Sequence, residues 1–135
     1  LNQFDVEYQL RVASAHRSPA FVESIVKDAL AEGNQIFIAM AGLAAALPGA
    51  IAAMTIKPVI GVPCGGKVPF DSLLSIAQLP PGVPAATVGV DRGENAAWLA
   101  LQILGISDAG IAAALADEKI AAVRRVEAMD REVQG

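Results

Sequence analysis

Three short, uncharged runs constrain this chain more than any other feature: Ile36–Ala39, Val59–Val62 and Ala85–Val90. Each is too short for a helix and is flanked by turn-forming or polar residues, which fits parallel strands covered on both faces. A fourth strand is expected at Val6–Ala13, where apolar and polar residues roughly alternate. Between the runs the pattern turns helical. Val22, Ile25, Val26, Ala29 and Leu30 recur at helical spacing, Glu23, Lys27, Asp28 and Glu32 lie elsewhere around the cylinder, and Gly33 ends the segment. Ser18 suits the N-cap of this helix and Pro19 its first position. Further helices are expected at Ala50–Met54, Asp71–Ala77, Glu94–Leu104 and from Asp108 onward, the last capped by Ser107 and carrying a broken apolar stripe of Ile111, Leu115, Ala122, Val126, Met129 and Val133. Strands alternating with helices through short connections specify an α/β domain with a mostly parallel sheet.

Length and composition bound what that sheet can serve. A chain of 135 residues with 54% hydrophobic content fits one domain, 1–135, with a core of its own. A formal charge of −4 with no concentrated basic surface argues against nucleic acid as a partner. The stretch from Gln35 to Ile56 is free of charge but is broken by Gly42, Pro48 and Gly49, so no membrane-spanning helix is expected. Leu1–Tyr8 carries Asp5 and Glu7 and lacks the basic-then-apolar order of a secretory signal, which points to a cytoplasmic protein. Cys64 is the sole cysteine, so neither an internal disulfide nor a zinc site is expected. The helix at Glu94–Leu104 has polar residues only at Glu94, Asn95 and Gln102, and one sheet cannot cover all its remaining faces. A subunit interface is the expected second cover.

In parallel sheets, ligands collect beyond the carboxyl ends of strands. Two strand-to-helix loops stand there, Ser14–Ser18 and Ala41–Gly49. The first holds His16, and imidazole is the one side chain whose ordinary pKa, about 6.5, allows acid and base behaviour near neutrality. A lone histidine is more often an ordinary surface-loop residue; the strand-end position beside Ser14 and Arg17 raises the alternative. Arg17 offers a bidentate group for phosphate, or is simply a solvated surface arginine. The second loop has no nucleophile or acid, so its contribution would come from main-chain groups near Gly42, unless it is only a tight turn. Gly65, Gly66 and Lys67 lack the remaining residues of a phosphate loop. Asp91–Asn95 reads as a polar loop capping the next helix.

Taken in order, SAHRSP at Ser14–Pro19, AGLAAALPG at Ala41–Gly49 and DSLLSIAQLPPGVPAATVGV at Asp71–Val90 resemble the catalytic subunit of phosphoribosylaminoimidazole carboxylase, an enzyme family of purine biosynthesis. The resemblance runs from about Val6 to Leu104 and is strongest to forms that continue as DRGENAA, here Asp91–Ala97, whereas the final helix, 108–133, matches only in type. It implies a three-layer, flavodoxin-like subunit in a homo-octamer, with no metal or organic cofactor. It also implies an aminoimidazole ribonucleotide substrate. In the mutase form, N5-carboxyaminoimidazole ribonucleotide loses carbon dioxide, which C4 of the same ring recaptures; the carboxylase form takes carbon dioxide directly. The family's catalytic histidine falls on His16 and its phosphate-binding arginine on Arg17, with Ser14 and Ala15 completing that loop. Ala41, Gly42, Ala46 and Leu47 fall on the substrate-binding second loop, whose small residues would hold carbon dioxide near the ring.

Two positions depart from the family pattern. A histidine usually precedes Leu-Pro-Gly, and here Ala46 stands in its place. The chain also starts at the pattern's second strand, so the first strand and its Gly-Ser-x-Ser-Asp loop are expected in a longer protein, and the sheet is expected to show unpaired backbone where that strand would lie. These departures keep two other readings open: a non-catalytic nucleotide-binding homologue, and an enzyme for a different carboxylated heterocyclic nucleotide.

Overall fold

The computed structural model describes all 135 residues. Its centre is a parallel sheet of three strands, β1 (Phe37–Ala41), β2 (Val59–Pro63) and β3 (Ala86–Thr87), in the order β1-β2-β3. Phe37 to Ala41 pair in register with Val59 to Pro63, and Ile60 and Gly61 pair with Ala86 and Thr87. All five residues of β2 are buried, as a central strand of uninterrupted apolar residues requires.

Five helices accompany the sheet: α1 (Pro19–Ala31), α2 (Ala46–Ala52), α3 (Pro69–Ala77), α4 (Gly93–Leu104) and α5 (Ala109–Gln134). Val22 and Val26 of α1, Ala39 of β1, Ile51 and Ala52 of α2 and Val59 of β2 form one buried cluster. Each larger aliphatic side chain taken out of water there contributes about 1.5–3 kcal/mol. The chain divides into two compact units, Tyr8–Ala100 and Leu1–Glu7 with Leu101–Gly135. The second unit contains a 3-10 turn at Asn2–Phe4 and α5, none of whose residues is buried. Within it Glu118 accepts from Gln3 at 3.4 Å and pairs with Arg125 at 2.5 Å.

Several expectations need correction. Val6–Ala13 forms no strand. A strand exists only against a ladder partner; this segment pairs with none of the three strands, and Leu10 and Val12 stay exposed. β1 likewise pairs only with β2, so backbone at both places lacks the ladder partner a continuous sheet would supply. β3 is two residues long where six were expected. Past Thr87 it touches β2 only through single bonds, Val88 N–H to Gly61 O at 3.2 Å and Asp91 N–H to Pro63 O at 2.9 Å, and Asp91 turns the chain away at φ 58°. α2 begins four residues earlier than expected, because Pro48 falls in its first turn, where a missing N–H costs nothing.

Two caps also differ. Ser18 occupies the N-cap of α1, with Pro19 following, but its hydroxyl makes no capping bond. The cap of α5 is Asp108, whose carboxylate accepts from Gly110 N and Ile111 N at 2.9 and 3.0 Å; Ser107 instead donates to Leu104 O. In α4 only Glu94, Asn95 and Gln102 are exposed, and its other residues are buried or half-buried within the single chain.

Candidate active site

The loop preceding α1 is closed by two serines. Ser18 N–H donates to Ser14 O at 2.9 Å, the Ser18 hydroxyl accepts from Ser14 N–H at 3.0 Å, and the same hydroxyl lies 3.1 Å from Ser14 O as a donor. The Ser14 hydroxyl in turn accepts from Arg17 N at 3.2 Å and from Arg17 Nε at 3.4 Å. This is why Ser18 does not cap α1: its oxygen is spent on the loop. The turn so formed holds Ala15 half-buried and leaves His16 and Arg17 exposed, with no hydrogen bond from the imidazole to the rest of the chain.

The second loop follows β1 and is strained. Leu43 and Ala45 both have positive φ, 53° and 35°, in a region that residues with a Cβ seldom occupy. Ala45 N–H closes the turn on Gly42 O at 2.9 Å. Gly42 packs against the next strand-end loop: a Cβ there would meet Cys64 O at 3.4 Å and Cys64 Cβ at 3.5 Å. Ala46 and Leu47 lie beyond this turn in the first turn of α2 rather than in a loop extending to Gly49.

These two loops meet around a cavity of about 510 Å³, lined by Ser14, Ala15, His16 and Arg17 from the first and by Ala41, Gly42, Ala46 and Leu47 among others from the second. All eight residues singled out in the sequence therefore face one space. Leu43, Ala44 and Ala45 of the second candidate loop complete the wall together with Ala13 and Met40, which sequence reasoning missed because they carry no chemical signal that could have marked them. The chemical contrast is strong: one wall carries an imidazole, a guanidinium and a hydroxyl, the other only small or apolar side chains and main-chain amides. No group of three His, Cys, Asp or Glu side chains is placed to hold a metal ion.

Below the second loop, Cys64 N–H donates to Ala41 O at 2.8 Å, and the hydroxyl of fully buried Ser72 shares its proton between Cys64 O at 3.0 Å and Pro69 O at 2.9 Å. Burial, with the nearby negative charge of Asp91 adding to it, holds the Cys64 thiol above its ordinary pKa, so it is not a poised nucleophile. Within the polar loop Asp91–Asn95 that leads into α4, the Asp91 carboxylate turns to the neighbouring loop and accepts from Gly65 N–H at 2.7 Å.

The family model described as AIR carboxylase matches residues 1–124. This chain belongs to the AIR carboxylase family. The match reaches well into α5, beyond the Leu104 limit drawn from motifs alone. The chain is 53% identical over 135 residues to N5-carboxyaminoimidazole ribonucleotide mutase of Methanocaldococcus jannaschii, covering 99% of this chain and 84% of that one. It is 52% identical to the enzyme of the same name from Pyrococcus abyssi, over 78% of this chain and 62% of that one. Phosphoribosylaminoimidazole carboxylase of Candida glabrata is 47% identical over 78% of this chain, which spans 19% of the fungal protein. Among solved structures, Treponema denticola PurE superposes with a TM-score of 0.83 at 26% identity, covering 97% of this chain and 83% of that one. The family member thus has the flavodoxin-like α/β fold expected of it. No helix is long and apolar enough to cross a membrane.

Proposed function

We propose that this family member is an N5-carboxyaminoimidazole ribonucleotide mutase acting in purine biosynthesis. One observation carries the reading: the His16 loop and the Gly42 loop, far apart in sequence, line the same cavity. The names of its archaeal relatives support the same reaction.

The chemistry follows from the two unlike walls. The carbamate C–N bond of the substrate breaks, the exocyclic nitrogen takes up a proton and carbon dioxide is released. C4 then attacks that carbon dioxide, a C–C bond forms, and C4 surrenders its proton. His16 is proposed as the carrier for these proton movements, because its imidazole faces the cavity and the chain has no other histidine. Arg17, steadied by Ser14, is proposed to hold the phosphate, with Ser14 and Ala15 offering further contacts to the ribonucleotide. The apolar wall of Ala41, Gly42, Ala46 and Leu47 gives carbon dioxide no competing nucleophile, and confinement keeps it within reach of C4.

The test is His16→Asn, which keeps a similar size and hydrogen-bonding capacity but cannot carry a proton near neutrality. Conversion of N5-carboxyaminoimidazole ribonucleotide to the 4-carboxy product should fall by at least about 100-fold, the lower range of general acid–base contributions. Retention of the parent rate would end the assignment. The fungal relatives named carboxylase favour one alternative, direct carboxylation, which efficient consumption of aminoimidazole ribonucleotide with bicarbonate would establish.

Residues 1–135 are proposed to act as one catalytic module in a cytoplasmic homo-octamer. Support for self-association comes from side chains that the single chain leaves in water: Leu43 at 69% exposure, Phe70 at 72% and Leu74 at 48%. Leu43 and Leu74 border a shallow groove of about 580 Å³ beside the second loop.

A further inference from the structure

We propose that Asp91 is a positioning residue that holds the carbon dioxide wall in place from behind, a role that rests on the mutase reading. Asp91 lies outside the cavity lining and touches no residue of the His16 loop in its hydrogen bonds. It grips the end of β2 and the loop that follows: its N–H donates to Pro63 O at 2.9 Å, and its carboxylate accepts from Gly65 N–H at 2.7 Å. A side chain at Gly65 would run into that carboxylate, so the glycine is needed for the approach. Asp91 makes the grip from a left-handed backbone, φ 58°, a state that aspartate tolerates better than most residues with a Cβ. The carboxylate has no cation within ion-pair distance, which leaves the Gly65 amide as its assigned partner.

The clamped segment is the support of the second loop. Cys64 N–H holds Ala41 O, Cys64 O and Cβ lie against Gly42, and Ser72 fixes Cys64 O from the other side. Ala41 and Gly42 form part of the cavity wall. A line of bonded or touching groups therefore runs from the Asp91 carboxylate through Gly65 and Cys64 to the wall, and none of its first three members needs to touch substrate. Releasing Gly65 would let the wall move away from the ring. The consequence falls on a single step: carbon dioxide escapes after the carbamate C–N bond has broken and the nitrogen has been protonated, so unsubstituted aminoimidazole ribonucleotide is released in place of the 4-carboxy product.

The experiment compares the parent chain with Asp91→Ala and Asp91→Asn. Each is supplied with N5-carboxyaminoimidazole ribonucleotide, both products are quantified by chromatography, and uncatalysed decarboxylation is subtracted. Amide hydrogen exchange at Cys64 and Gly65 is measured on the same proteins without substrate. The expected result for Asp91→Ala is about a tenfold rise in the ratio of unsubstituted to 4-carboxy product, with KM unchanged, a moderate loss for a small displacement. Exchange at both amides should accelerate. Asp91→Asn keeps an oxygen for the Gly65 N–H and should restore most of both properties. An unchanged product ratio in Asp91→Ala would overturn the proposal even if the overall rate fell. A parent chain without turnover would sink the mutase reading instead; equal exchange at Gly65 in all three proteins would then overturn the clamp on its own.

Discussion

Ser14 and Ser18 close the His16 turn on each other through main chain and hydroxyl alike, with the Ser18 oxygen 3.0 Å from Ser14 N and 3.1 Å from Ser14 O. Removing that hydroxyl in Ser18→Ala leaves the amide-to-carbonyl bond but strips the turn of its second brace. Two neutral hydrogen bonds at about 1 kcal/mol each bound the cost to the loop. The expected outcome is a folded protein whose kcat drops about tenfold, because a proton carrier held less firmly spends less time aligned. Steady-state kinetics alongside a thermal melt separate this from general unfolding.

Ala46 lines the cavity where the family pattern has a histidine. Ala46→His adds a donor or acceptor to a wall that otherwise has only main-chain polarity. One added hydrogen bond to the ribonucleotide, about 1.4 kcal/mol, should tighten binding roughly tenfold. Calorimetric titration measures it, and unchanged or weaker binding would show that this wall is already complete.

Gly61 sits in fully buried β2, where a Cβ would collide with Ile76 of α3 and lie 3.3 Å from Pro48 Cβ of α2. Ile76 is itself fully buried and has no room to swing aside. Gly61→Ala should therefore destabilise the fold by about 1–3 kcal/mol, the usual cost of overpacking. A lower urea midpoint at unchanged slope is the expected signature.

Asp108 and Ser107 make opposite predictions for α5. Asp108 accepts from two N–H groups at the helix start, whereas Ser107 bonds backward to Leu104 O. Asp108→Ala should cost about 1 kcal/mol and Ser107→Ala less than about 0.5 kcal/mol, read as the shift of the chemical denaturation midpoint.

The legible parts of the fold were those where neighbouring residues decide the outcome. β1 and β2 were found to within one or two residues because buried parallel strands leave an uninterrupted apolar run. α1 was found from its periodicity and from Pro19. Val6–Ala13 and the far half of β3 failed because a strand is a property of a pair: Leu10 and Val12 have the right side chains but pair with no strand, while Asp91 turns the chain out of its ladder. The proposed site was readable as chemistry at His16 and Arg17. Its other wall was located by the strand-end position of the Ala41–Gly49 loop, and its individual residues came from motif resemblance, since alanine and glycine have no functional group to read. The separate bond of Asp91 was not readable within the polar loop 91–95, because only the folded chain brings its carboxylate to Gly65.

The one-sided pairing of β1 has a practical consequence for anyone handling the free chain. Phe-Ile-Ala-Met-Ala carries no charge and no proline, and no backbone hydrogen bond joins it to anything on the side away from β2. An apolar edge of that kind is a template for strands of other molecules, and it lacks the lysines or bulges that usually discourage such pairing. Loss of material to insoluble fibrillar or amorphous aggregate, rising with concentration, is the failure to guard against in purification of residues 1–135 alone.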